Sequence, residues 1–328
     1  MPAENPVSMR RLTVLLAIYL SACAASAPVP PPEAGGLWQD ERIFSAVRTT
    51  LDTAQSRVLV EMYEFGRQDL VQAVVAAHAR GAEVRVILDP TVPPTLLAGR
   101  QLAARGVPVR FYPVDDHAQQ IDHVKLLIGD DRALVGGMNW GATSARNHDY
   151  ALLLRTPADM RRLAAIFEQD WALAGGSPAP LPPEAGPIAQ TAPGSEIRRL
   201  LEATLASAGQ RVEAELFDLT DPDLILLLQS AGRRGVGVRV LLDPAQDVNR
   251  PSFEVLRRGG TEVRWFRARA GAKLHAKAVL ADGLLVLGSA NWSRHGLDVN
   301  HELDVATIDP AAVAAYEARF ETDWEAAA

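Results

Sequence analysis

The chain has a single cysteine, Cys23, so no intrachain disulfide can help hold its 328 residues together. It has no basic excess either. Its 33 Lys and Arg stand against 40 Asp and Glu, a formal charge of −7, which opposes a protein that binds nucleic acid non-specifically over a whole domain face. A locally basic cleft remains compatible with that balance. The apolar run Leu12 to Leu20 falls well short of the roughly 20 residues that a membrane-spanning helix needs. No His-Cys spacing of a zinc site occurs. What is present is 48% hydrophobic and 22% charged residues, a globular composition long enough for two domains of ordinary size.

The N-terminus carries Arg10-Arg11, then the short apolar run, then small residues, which is the order of a bacterial export signal. Met9 would serve it as a start as well as Met1. The run ends in Leu20-Ser21-Ala22-Cys23, which resembles the lipobox at which bacterial lipoproteins are cleaved and lipidated. Lipidation gives a lone thiol in an exported protein its reason, and this reading is preferred to a cleaved soluble protein or an uncleaved anchor helix. Residues 1–23 are therefore read as a lipoprotein signal peptide, and 24–36 as a Pro-rich tether between lipid and domain. Ala24 after the cysteine points to the outer membrane if the envelope is diderm.

From Leu37 the pattern is α/β. A helix is expected from Trp38 to Ala54, with Ile43, Phe44, Val47 and Leu51 on one face, followed by a strand over Arg57–Tyr63. A helix from Asp69 to Arg80, a strand over Glu83–Pro90, a helix from Thr95 to Arg105 and a strand over Val107–Phe111 complete two parallel crossover units. Asp122 to Ile128 reads as a strand turning at Gly129–Arg132 into Ala133-Leu134-Val135, a hairpin. On that strand His123 and Lys125 are two apart and share a face. A strand over Asp149–Leu154 and a helix from Ala158 to Trp171 follow.

The Pro, Gly and Ala-rich, nearly uncharged segment 174–193 reads as an exposed linker between halves spanning 37–173 and 194–328. The second half repeats the first. Arg57-Val58, Glu61 and Val84–Pro90 recur as Arg211-Val212, Glu215 and Val238–Pro244, each 154 residues on, and Asn147-His148-Asp149 recurs as Asn300-His301-Glu302 after 153. A period this long marks a duplicated domain rather than a solenoid. Two such halves pack about a pseudo-twofold axis, which brings matched residues together.

The densest repeat is His123-Val124-Lys125, Asp130, Gly136-Gly137-Met138-Asn139-Trp140 against His275-Ala276-Lys277, Asp282, Gly288-Ser289-Ala290-Asn291-Trp292. Two converging lysines suit a phosphoryl group, because ammonium charges bind its oxygens and the extra negative charge of its transition state. One histidine can attack phosphorus while the other protonates the leaving oxygen, giving a phosphohistidine that water resolves without metal. Asn139 and Asn291 can donate amide hydrogens to the phosphoryl oxygens. Asp149 and Glu302 can each accept a proton from a catalytic imidazole and fix its tautomer. His148 and His301 are expected to pack behind the site, and His78 and His117 to be solvated. Trp140 and Trp292 suit lining the cleft and packing beside it equally.

At these residues the chain resembles the phospholipase D superfamily, whose mark is H-x-K-x(4)-D followed by G-[SG]-x-N, and the resemblance covers the chain from about residue 37 onward. In both copies the interval from Asp to Gly is one residue shorter than in many members, which a tighter hairpin accommodates. The resemblance implies two mixed-sheet α/β halves, a site at their interface, and a phosphodiester hydrolase with no cofactor and no metal. It implies His123 as nucleophile and His275 as general acid, with Lys125, Lys277, Asn139 and Asn291 holding phosphate and Asp130 and Asp282 supporting the site.

Substrate is a separate question. Arg264-Trp265-Phe266-Arg267-Ala268-Arg269 with Lys273 suits a lipid interface or a nucleic-acid backbone equally. Asp115, Asp116 and Asp122 form an acidic approach that repels a polyanion and tolerates a cationic headgroup. Together with the anchor, this favours phospholipid in a membrane, by hydrolysis or phosphatidyl transfer. A metal-independent nuclease acting on single-stranded nucleic acid is the alternative, and a non-catalytic envelope protein a weaker one. No obligatory protein partner is evident.

Overall fold

The first half runs β1 (Leu37–Gln39), α1 (Ile43–Thr53), β2 (Arg57–Met62), α2 (Gln68–Ala79), β3 (Glu83–Leu88), α3 (Pro93–Ala103), β4 (Val109–Phe111), β5 (Lys125–Gly129), β6 (Arg132–Gly136), β7 (Tyr150–Leu154) and α4 (Pro157–Ala174). The second runs β8 (Ile188–Thr191), α5 (Glu196–Ser207), β9 (Arg211–Leu216), α6 (Pro222–Arg233), β10 (Gly237–Leu242), α7 (Asn249–Arg258), β11 (Glu262–Trp265), β12 (Lys277–Ala281), β13 (Leu284–Gly288), β14 (Glu302–Thr307) and α8 (Pro310–Ala326). This computed structural model describes residues 36–182, 184, 186–269 and 271–327. The export signal, Cys23 and the tether up to Gly35 lie outside the described residues.

Each half forms a seven-stranded sheet of the same order: β1-β7-β6-β5-β2-β3-β4 in the first, β8-β14-β13-β12-β9-β10-β11 in the second. In each, the crossover strands pair in parallel and the remaining pairs are antiparallel. The duplication thus holds strand for strand. Strand alternation sets the layers. Leu59, Leu126, Ile128, Ala133 and Val135 face a central core that also takes Leu241, Ala278, Leu280 and Leu287 of the other sheet, with Phe167 of α4 and Phe320 of α8. Val58, Val60, Leu127 and Leu134 face outward onto α1, α2 and α3, and Val212, Ala214, Val279 and Val286 face α5 and α6 in the same way. The two sheets therefore share one inner core between them, with a helical layer on each outer side.

Three sequence expectations change. The helix expected from Trp38 begins only at Ile43, because Leu37, Trp38 and Gln39 pair with Leu152, Ala151 and Tyr150 as the edge strand β1, and a 3-10 turn over Asp40–Arg42 follows. The segment 174–193 is exposed only in its first part. Ile188–Thr191 is a buried strand against β14, filling in the second sheet the place that β1 fills in the first. The motif strand starts at Lys125 rather than Asp122, because the residues before it bond to the other half.

Candidate active site

The His-Lys segments are completed from the opposite half. The His123 amide donates to the His301 carbonyl at 2.8 Å, and the His301 amide returns a bond to the Ile121 carbonyl at 2.9 Å. The mirror pair is the His275 amide on the His148 carbonyl and the His148 amide on the Lys273 carbonyl, both 2.8 Å. Such reciprocity is the mark of a twofold interface. The residue after each of these gripping histidines then presents its carboxylate. Glu302 lies 2.9 and 3.0 Å from His123 Nδ1, and Asp149 Oδ2 lies 2.7 Å from His275 Nδ1. With Nδ1–H held by a carboxylate, each ring keeps its Nε2 lone pair for chemistry. The orienting acid of each half therefore serves the histidine of the other.

The difference between the copies has a steric reason. A Cβ on Gly137 would fall onto the Asp149 carboxylate, so the shorter acid goes with glycine. In the second copy the Ser289 hydroxyl donates to Glu302 Oε2 at 2.5 Å, and the Asn300 amide donates to Oε1 at 3.1 Å. The hydroxyl supports the acid.

Lys125 and Lys277 are 4% and 3% exposed, and each ammonium donates to the carbonyl of its own motif histidine, at 2.6 and 2.5 Å. Burial pushes Lys125 down to about 7 and Lys277 down to about 8, against the attraction of Glu302 and Asp149. Burial and the neighbouring lysines push His123 well below the usual imidazole value, and burial and Lys277 push His275 down to about 3. Each histidine feels the lysine of both copies, so the four groups share one electrostatic site. Burial pushes Glu302 up to about 8. The cleft thus favours neutral imidazoles and loosely held lysine protons.

Other expected residues divide. Asn139 and Asn291 are half-buried at the ends of the hairpins, each with a buried Oδ1 lacking a protein partner. Asp130 and Asp282 are not in the cleft. They lie at the far turns of the hairpins, five residues and about 16 Å along the strand from each lysine. Asp130 accepts the amides of Gln55, Ser56 and Arg57, and Asp282 those of Gly209, Gln210 and Arg211, so each fastens the loop entering β2 or β9. Arg264 leaves the proposed substrate patch: it donates to the Trp324 carbonyl at 2.8 Å and lies over that ring at 4.3 Å. Phe266 is buried on His148, and Trp265 stacks on Phe253. Arg267, Arg269 and Lys273 stay exposed, with Lys273 Nζ 5.7 Å from the Phe217 ring. Trp140 and Trp292 are buried at 2% and 1% and pack in the outer cores of the two halves, Trp140 edge-on to Phe65. His117 is exposed, whereas His78 is half-buried with its Nδ1 enclosed.

Residues that sequence reasoning missed are Tyr63 and Phe217, whose rings lie 4.8 and 4.9 Å from His123 and His275 and 5.1 and 4.9 Å from the two lysine nitrogens. Asp89 was missed too, and accepts the Asp122 amide at 2.8 Å, holding the start of the motif segment. The signal was available: each repeats at 154, with Tyr63 two residues after Glu61 and Asp89 opposite Asp243. Among the described residues, the groups of three His, Asp or Glu close enough to hold a metal are Glu61-Asp170-His301 and His148-Glu215-Asp323, and neither contains a motif residue.

A duplicated α/β chain whose paired His-Lys segments meet across a twofold interface is a phospholipase D superfamily protein. The chain belongs to the family described as "Cardiolipin synthase, PLD-like domain", which matches residues 47–171 and again 201–324. It is 29% identical over 123 residues to "Mitochondrial cardiolipin hydrolase" of Chlamydomonas reinhardtii, covering 37% of this chain and 54% of that protein. It is 25% identical over 332 residues to "Probable cardiolipin synthase YwiE" of Bacillus subtilis, covering 87% of this chain and 64% of that one. The chain therefore spans just over half to just under two thirds of the lengths of these relatives. Among solved structures, phosphatidylserine synthase of Haemophilus influenzae superposes with a TM-score of 0.69 at 13% identity over 88% of this chain and 86% of that one, a likeness of fold.

Proposed function

We propose that the protein is a phosphodiesterase that cleaves phospholipid headgroups through a phosphohistidine on His123. The observation that carries this reading is the reciprocal crossing: His123 on Glu302 and His275 on Asp149, with Lys125 and Lys277 in the same buried site. His123 Nε2 attacks phosphorus, the P–O bond to the headgroup breaks, and His275 gives its proton to the leaving oxygen. His275 takes that proton from solvent as the phosphate anion binds and its charge offsets that of Lys277. In the second step water loses a proton to His275 as it attacks phosphorus, and the P–N bond breaks. An alcohol in place of water gives phosphatidyl transfer.

The lipid substrate is favoured by the relatives, one named a cardiolipin hydrolase and another a probable cardiolipin synthase. Arg264 leaves the basic patch, which suited lipid and nucleic acid equally, and Asp122, buried at 0% exposure, leaves the acidic approach, so the relatives rather than these surfaces favour lipid over a nuclease substrate. Attachment through a lipid on Cys23 would hold the enzyme at its substrate, a proposal drawn from the sequence alone. The test is release of headgroup from phospholipid vesicles in EDTA, beside digestion of single-stranded DNA, with His123→Ala as blank. We expect vesicle cleavage, with label trapped on His123 after acid quench. DNA cleavage with intact vesicles would favour the nuclease, and loss of all activity in EDTA would overturn the metal-free route.

A further inference from the structure

His148 and His301 take no part in the chemistry above, yet both are almost wholly buried, at 3% and 0% exposure, and each reaches into the opposite half. His301 belongs to the second half, but its imidazole sits among first-half residues. Nε2 lies 3.1 Å from Asp170 of α4 and 3.5 Å from Glu61 of β2, the ring stacks on Tyr112 at 4.6 Å, and Nδ1 donates to the Ala192 carbonyl at 2.9 Å. His148 bridges the halves, between Asp40 and the Tyr150 hydroxyl (3.1 Å) of its own half and acids of the other. Its Nδ1 lies 2.7 Å from Asp40, its Nε2 3.3 Å from Glu215 of β9 and 3.5 Å from Asp323 of α8, and its ring stacks on Phe266 at 5.3 Å. Burial alone would push both imidazoles down, but the surrounding carboxylates hold His301 well above the usual value and His148 up to about 10. Each imidazole thus sits buried beside carboxylates that favour its charged form and would be left unpaired if it moved away.

The consequence follows from what is bonded to these residues. The backbone of His301 grips His123, and the next residue is Glu302, whose carboxylate holds the His123 ring; His148 and Asp149 stand in the same relation to His275. We propose that His148 and His301 are positioning residues, each pinning its segment in the opposite half so that the adjoining acid sets the imidazole of one motif histidine and not the other. This rests on the phosphodiesterase reading, and it predicts that the two residues govern different steps. His301 acts through His123, the nucleophile, and so controls attack whatever the leaving group. His148 acts through His275, the acid, and so matters only where the leaving oxygen needs a proton.

The experiment compares His148→Gln and His301→Gln with the wild type on phosphatidylcholine and phosphatidyl-4-nitrophenol in the same vesicles. The pre-steady-state burst is read so that only the first step counts. Choline leaves as an alkoxide that must be protonated, whereas nitrophenolate leaves without help. His301→Gln should slow both bursts alike, by at least about tenfold, and His148→Gln should slow choline release at least about tenfold more than nitrophenolate release. If either histidine variant fails to fold, Asp170→Asn and Asp323→Asn, which loosen the same two clamps, should show the same split. Equal slowing of both substrates by both variants, or no slowing, would overturn the inference while leaving the enzyme reading intact. A wild-type protein that releases neither product would refute the phosphodiesterase reading itself.

Discussion

Glu302→Gln isolates the crossed carboxylate with almost no change of shape. Three donors converge on the two oxygens of Glu302: His123 Nδ1–H, the Ser289 hydroxyl and the Asn300 amide. A glutamine offers one oxygen and one NH2. Both positions lie 2.9 to 3.0 Å from Nδ1, so either the oxygen keeps the Nδ1–H bond while the NH2 meets the Asn300 donor or the Ser289 hydroxyl, or the NH2 takes Nδ1 and selects the tautomer whose Nε2 carries hydrogen and cannot attack. The first arrangement forfeits a charge-assisted hydrogen bond, about 1.5 to 3 kcal/mol, or roughly tenfold to 150-fold in rate. The second approaches the loss of about 10⁴-fold that an Asp-to-Asn replacement causes in a catalytic triad by inverting the histidine's tautomer. We expect kcat for headgroup release to fall between those limits, with KM changed less than about threefold and the label on His123 forming more slowly. Because burial pushes Glu302 up to about 8, a sharp alternative exists. Glutamine is isosteric with a protonated glutamic acid, so a variant with kcat within about threefold of wild type would show that a neutral carboxyl suffices, and would refute the argument from charge.

Lys125 and Lys277 are charged below their values of about 7 and 8 in the empty site, so kcat/KM should fall as pH rises through that window. Lys125→Arg, which keeps its charge, should move the limb upward, and a profile flat to about pH 9.5 would contradict the lysine assignment. Asp130→Ala removes an acceptor from three backbone amides and should lower stability by about 1 to 3 kcal/mol in urea unfolding while leaving kcat within about twofold. A large kcat loss at unchanged stability would return Asp130 to the chemistry. Cys23→Ser should abolish incorporation of labelled fatty acid and release the protein from the membrane fraction in its own host. A wild-type protein found wholly soluble would defeat the anchoring proposal.

The duplication, the α/β class, the paired histidines and lysines and the placing of the site between the halves were legible in the sequence, because a repeat with fixed spacing preserves both the strand pattern and the chemistry carried on it. Local periodicity erred where the sheet edges decide. Trp38 reads as the start of a helix and Ile188–Thr191 as part of a linker, yet each belongs to a strand that completes a sheet edge whose backbone groups need a partner. The resemblance makes Asp130 and Asp282 supports of the site, but a strand of five residues carries them to the other end of the sheet, where each fastens a loop. Arg264 looked like a free cation until α8 supplied a carbonyl and a ring to hold it. That Asp149 and Glu302 were candidates to meet the motif imidazoles could be read from the chain; which histidine each one contacts could not. That pairing is made by two parallel backbone bridges between the halves, contacts more than a hundred residues apart in sequence that exist only once both sheets have packed on their common core.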